Sequence, residues 1–193
     1  MIRNIACMLV GLVAALSSID MAALEIDNFR AGLVCDLELE LRDGRTMPVG
    51  WICVETETIQ VTGQGRCIWA GEEKHCTWYG FEFDYTGATE EDEIVCKRTS
   101  TKPMTEGNPD GINKQGVTES EYTISVPPGD GHFFNPQYSL LSYFGPSGRE
   151  ASSETACFFE DEEVFRFRFN TIFPGVTEKT IMDSVRRTTG EPE

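Results

Sequence analysis

The chain has 193 residues, with 16 lysines and arginines against 32 aspartates and glutamates and a formal net charge of −16. Acidity of that size repels nucleic acid and anionic lipid surfaces, which excludes both as partners and serves solubility first. His75 and His132 are the only histidines, too few for a metal site built on a histidine cluster.

Met1-Ile2-Arg3-Asn4 and the apolar run 5–16 have the single positive charge and short hydrophobic core of a secretory leader. A spanning helix needs about 20 apolar residues, so the run predicts a cleaved signal peptide over 1–17 and no membrane insertion. Ala15 and Ser17 mark the cleavage site, and Met21-Ala22-Ala23 offers a second one up to residue 23. Cys7 lies near the start of the hydrophobic run, not at its end, so it leaves with the leader and does not suit lipid attachment. The six remaining cysteines, Cys35, Cys53, Cys67, Cys76, Cys96 and Cys157, form an even set in an exported chain, the signature of about three disulfides. Zinc, haem and thioredoxin-like chemistry need cysteines two to four residues apart, whereas 8 to 60 residues separate these. They are structural, and no cofactor is expected.

Beyond residue 30 the pattern has a period of two. Leu33, Cys35, Leu37, Leu39 and Leu41 alternate with Asp36, Glu38, Glu40 and Arg42, predicting a strand with one buried and one wet face. Short runs of strand character follow at 49–54, 58–62, 67–70, 77–85, 93–98, 121–126, 138–144, 157–159 and 164–173. Ten such runs with Gly, Pro and Asp-Gly punctuation predict an all-β chain, an antiparallel β-sandwich with a barrel as the alternative. One domain over 18–187 is expected, followed by a flexible tail over 188–193.

Two turns set registers. Asp43-Gly44 suits a type I′ hairpin that pairs Arg42 with Arg45, Leu39 with Pro48 and Cys35 with Ile52. Cys53 then falls opposite Val34 on the other face, so Cys35 and Cys53 bond only if a bulge intervenes. Pro48 has no N–H to give, which suggests a strand start or a free edge there. Gly71-Glu72 suits a type II′ turn that places Cys67 directly opposite Cys76 at a non-hydrogen-bonded site, predicting a bond between them. Trp69 and Trp78 share that face and are expected to pack on the bridge. The remaining pairings stay open.

The span 99–120, with Pro103, Gly107, Asn108-Pro109-Asp110-Gly111 and Gly116, reads as a long surface loop. The segment from Pro127 to Pro146 sets His132, Phe133, Phe134, Tyr138 and Phe144 among turn residues, which makes it the candidate binding loop. Asp130 stands near His132, but no G-x-S-x-G elbow accompanies them and no catalytic residue is assigned. Glu72, Glu73 and His75 gather at a hairpin tip. The acidic runs 90–93 and 160–163 occupy turns but lack the calcium-loop pattern, so no metal ligand is assigned. Lys97, Arg98 and Lys102 form one basic patch, expected to pair with the chain's own acids.

No catalytic motif stands out, and the chain reads as a non-enzymatic binding or interaction module for a protein or glycan, periplasmic or secreted. The absence of any Asn-x-Ser/Thr sequon leans toward a bacterial origin. The alternatives are a carboxylate-based hydrolase of the cell envelope and a structural component of an envelope assembly. Oligomeric state is left open.

Overall fold

A computed structural model describes residues 24–42, 45–90, 92–108, 111–141 and 150–173. The expected leader (1–17), the tail (188–193), the Asp43-Gly44 turn and Phe144 lie outside the described residues.

Ten strands follow one another: β1 (Glu25–Arg42), β2 (Arg45–Glu55), β3 (Thr58–Gln60), β4 (Gly65–Trp69), β5 (Glu72–Ala88), β6 (Glu93–Asn108), β7 (Gly111–Ser125), β8 (Gly129–Leu140), β9 (Glu150–Phe159) and β10 (Glu162–Ile172). They form two five-stranded sheets. In the first, β5 is the spine: β4 and then β1 pair along one of its edges, β8 pairs along the other, and β2 continues outward from β1. The second runs β3-β10-β9-β6-β7, with β3 parallel to β10. The sheets face each other across one apolar core, which makes the chain the expected sandwich.

Alternation decides which side chains enter that core. On β5, Phe81, Phe83 and Tyr85 point inward, and on β10 so do Phe165, Phe167 and Phe169; all are buried. Phe81 meets Phe167 at 4.9 Å between ring centroids, and Phe83 meets Phe165 at 5.2 Å. Each buried ring contributes about 1.5 to 3 kcal/mol. Phe29 joins through a β-bulge. Between the pairs Asp27–Asp84 and Arg30–Glu82, β1 has one residue more than β5, and Asn28 takes φ 51°. The extra residue turns Phe29 inward, 4.7 Å from Phe165, and keeps Arg30 on the outer face.

Short connections carry the chain between sheets. β3 belongs to the second sheet, and residues 61–64 return to the first. Val61 N–H donates to Ile172 O, while Thr62 and Gly63 N–H both donate to the fully buried hydroxyl of Thr77. A crossing loop would otherwise bury unpaired amides.

Three expectations change. The span 99–120 is no loop, because β6 and β7 form one long hairpin whose strands meet at Asn108 opposite Gly111. Its side chains are largely polar, so no apolar alternation marked it, yet a backbone ladder needs none.

The first hairpin pairs Arg42 with Arg45 and Leu39 with Pro48 as expected, but shifts in register follow on either side of Cys35. Cys35 faces Trp51, Val34 faces Ile52, and Cys53 is the unpaired residue of a bulge. That is the condition under which Cys35 and Cys53 can bond, and they do, with Cα atoms 5.7 Å apart. Cys96 and Cys157, directly opposite on β6 and β9, form the second disulfide.

The third correction concerns Cys67 and Cys76, whose thiols are unbonded. The turn falls at Ala70-Gly71, both at positive φ, so Trp69 closes on Glu72 and Cys67 faces Lys74. Ala70 at the first turn position and Gly71 at the second, both at positive φ, give a type I′ geometry, which matches the strand twist as the expected type II′ turn also would.

The two disulfides close loops of 18 and 61 residues. Chain entropy predicts a loss of about 4 kcal/mol for the Cys96→Ala/Cys157→Ala variant and about 3 kcal/mol for Cys35→Ala/Cys53→Ala. Urea denaturation of both double variants checks the order.

Candidate functional site

Because Phe81, Phe83 and Tyr85 point inward, their neighbours on β5 point outward, and register with β8 sets opposite them a row of this strand's residues. Asp84 pairs with His132, Glu82 with Phe134, Gly80 with Pro136, and Trp78 with Tyr138. This outer face of β5 and β8 is the candidate site, with a polar end and an aromatic end.

The polar end is built around Glu82, which is 3% exposed although it lies on the outer face. Strand β2 bends over it. Ile52 N–H donates to Glu82 Oε2 at 3.0 Å, and the Cβ position of Gly50 comes within 3.3 Å of the Phe134 ring. Arg30, held outward by the bulge, donates to Glu82 Oε1 at 3.0 Å, to Ile52 O at 2.7 Å and to Glu55 Oε1 at 2.9 Å. A buried carboxylate is costly unless paired and hydrogen-bonded, and Glu82 has both. The same ion pair occupies the main-chain donor and acceptor of Ile52, as a neighbouring strand would. His132 Nδ1 lies 2.9 Å from Asp84 Oδ1, its Nε2 lies 3.7 Å from Glu82 Oε2, and Asn28 donates to Asp84 Oδ2 at 2.8 Å. The His132 contact, then that of Asn28, holds the Asp84 carboxyl below its ordinary range.

The aromatic end is a small satellite core on the same face. Cys67, Cys76 and Leu140 are buried beneath Trp69, Trp78 and Tyr138. Trp78 and Tyr138 meet edge to face at 4.9 Å. Each has its polar atom tied to the β4 backbone: Trp78 Nε1–H donates to Arg66 O and Tyr138 O–H to Ile68 O, both at 2.9 Å. Gly65 makes room, since a Cβ there would sit 2.7 Å from Trp78 Cδ1. Burial, with the two thiols adding to it, pushes the Tyr138 phenol up to about 12.

The expected binding residues are thus strand residues, not loop residues, and they divide between the faces. His132, Phe134 and Tyr138 share the outer face, whereas Phe133 points inward and stacks on Phe83 at 5.0 Å. Period-two alternation separates neighbours that a loop would have kept together. Trp78 packs over the thiols, as a tryptophan on that face was expected to do, although no bond joins them.

The basic patch also divides. Lys97 lies over the Phe158 ring, while Arg98 turns between the sheets toward Gln137 at 3.0 Å and Glu106 at 3.6 Å. At the hairpin tip Glu72 pairs with Lys74 at 2.5 Å, Glu73 pairs with Arg66, and His75 Nδ1 lies 3.2 Å from Gly63 O. Among the described residues no group of three or more His, Cys, Asp or Glu could hold a metal ion. Arg30 and Glu82 were missed from sequence. Glu82 sits in a clean Phe81-Glu82-Phe83-Asp84 alternation that reads as solvent-facing, and the strand that covers it arrives from 30 residues away.

No protein-family model matches the chain, and no curated protein matches it. Among solved structures it is similar to an immunoglobulin-like protein from Pseudomonas aeruginosa. That match covers 79% of this chain and 98% of the other, at 15% sequence identity and a TM-score of 0.47.

Two outcomes test the polar end. Arg30→Ala leaves the Glu82 carboxylate buried without its cation and is expected to cost about 2 to 3 kcal/mol in urea denaturation. A carboxyl held below its unfolded value of about 3.9 stabilises the fold above that pH, and the contribution disappears as pH falls through the folded value. Asp84→Asn is therefore expected to be less stable than the parent at pH 7, with the gap closing below about pH 4.

Proposed function

We propose that this chain is an exported, non-enzymatic binding module, periplasmic or secreted by a bacterium, that takes a protein or glycan on the outer face of β5 and β8. The observation that carries the reading is the Trp78–Tyr138 pair, two half-buried rings whose polar atoms are fixed to backbone carbonyls. Rings locked in this way lose little conformational entropy when a ligand covers them, which is what an aromatic anchor needs. Phe134 and Pro136 continue the row, and between Trp78 and Glu82 only Gly80 intervenes on β5. His132 and Asp84 supply hydrogen-bonding groups at the far end. The two disulfides agree with an oxidising compartment.

A hydrolase would need a carboxyl poised to give up a proton near neutral pH. Asp84 is shifted the other way, and Glu82 is engaged by Arg30 and the Ile52 amide. A structural role in an envelope assembly is the second reading, favoured by Trp51 and Val54, which are 47% and 50% exposed on the edge strand β2.

The test is a screen of the mature protein against arrayed bacterial glycans and envelope proteins, followed by calorimetry on hits. Tyr138→Ala and Trp78→Ala are expected to weaken binding at least tenfold, while Trp51→Ala leaves it unchanged. If Trp51→Ala instead abolishes association and the chain self-assembles in light scattering, the structural reading replaces the binding one. Turnover of glycosides, esters or peptides above a heat-killed control would end the non-enzymatic reading.

A further inference from the structure

Cys67 and Cys76 are unbonded in a chain whose other four described cysteines are paired. Cys67 faces Lys74 and Cys76 faces Gly65, so the two thiols lie on a diagonal of the β4–β5 hairpin, on one face, buried with Leu140. They touch, and hydrogen bonding to Cys67, ahead of burial, holds the Cys76 thiol above its ordinary value.

The turn that sets this register is strained at one residue. Ala70 and Gly71 have φ of 50° and 77°, a conformation that glycine takes freely and alanine does not. A turn moved by one residue, to Gly71-Glu72, needs positive φ only at Gly71. It would also set Cys67 directly opposite Cys76 at a non-hydrogen-bonded position, where Cα atoms are about 4.5 Å apart and within disulfide reach. Displacing β4 by two residues keeps each side chain on its own face. β4 is five residues long and, among the described residues, pairs with β5 alone; a slip of two residues would bring Gly65 opposite Trp78 and release the bonds from Thr62 and Gly63 N–H to Thr77.

We infer that β4 has two registers against β5, and that oxidation of Cys67 and Cys76 by a small-molecule disulfide selects the second. The Cys67 thiolate attacks one sulfur of RS–SR, forming a mixed disulfide and releasing RS⁻, which takes up a proton. The Cys76 thiolate then attacks the Cys67 sulfur and releases the second RS⁻, protonated in turn. Two protein thiols have lost two protons and two electrons, and the reagent has become two thiols RSH. The slip separates Trp78 Nε1 from Arg66 O, Tyr138 O–H from Ile68 O and Arg66 from Glu73, so the indole environment reports it.

The experiment equilibrates the full mature chain in glutathione buffers in which Cys35–Cys53 and Cys96–Cys157 stay bonded. It then alkylates free thiols, maps them by mass spectrometry, and follows tryptophan fluorescence and amide exchange in β4. Two alkylated cysteines are expected at the reducing end and none at the oxidising end, with fluorescence and β4 exchange changing in step. Ala70→Gly relieves the strain of the reduced register and is expected to lower the equilibrium constant for oxidation about fivefold. Cys67→Ser is expected to abolish the fluorescence response. The inference is overturned if both thiols remain alkylable in the most oxidising buffer, if the bridge forms with β4 exchange unchanged, or if Ala70→Gly leaves the constant where it was.

Discussion

Two rows of phenylalanine that must be hidden from water set the rest of this molecule in place. Phe81 and Phe83 from one sheet and Phe165 and Phe167 from the other interlock at centroid distances near 5 Å. Once those rings are committed inward, the residues between them are committed outward. Glu82 and Asp84 are placed on one outer surface, and Arg166 and Arg168 on the other, by the same alternation that fills the core. The outer face is therefore a consequence of the inner one, and its chemistry is read from the positions the core does not use.

The departures from strict alternation carry much of the specificity. A single extra residue at Asn28-Phe29 adds a ring to the core and turns Arg30 out toward Glu82. Shifts on either side of Cys35 bring Cys53 within bonding distance. Bulges of this kind bend a strand as well as re-aim it, and a bent β2 is what covers Glu82. The buried carboxylate, the Arg30 pair and the first disulfide all follow from irregularities in one long hairpin.

Much of the fold was legible in the sequence, and little of the site was. The all-β class, the pairing of Arg42 with Arg45 in the first hairpin and the run at 164–173 followed from period-two patterning and turn chemistry, because both act over a few residues. The β6–β7 hairpin was missed because its polar face gave the pattern nothing to detect. The register of β4 against β5 was missed by one turn position, since Ala70-Gly71 and Gly71-Glu72 are both acceptable turns and tertiary contacts decide between them. Phe133 and His132 look alike in a list of candidate binding residues, yet one belongs to the core and the other to the surface. Reading the segment as strand rather than loop is what separates them.

Both disulfides join strands within a sheet: Cys35–Cys53 links β1 to β2, and Cys96–Cys157 links β6 to β9. Neither crosses the core, so the sheets are joined by packing, by the connecting segments and by hydrogen bonds such as that of Arg98 to Gln137, while each is braced within itself. Under a stretching force applied at the chain ends, the sheets would part first and the bridges would hold. The 60 residues between Cys96 and Cys157 would then stay out of the extending chain, withholding about 210 Å of contour length at roughly 3.5 Å per residue. A chain bridged this way yields under load by opening while about a third of its length stays closed off.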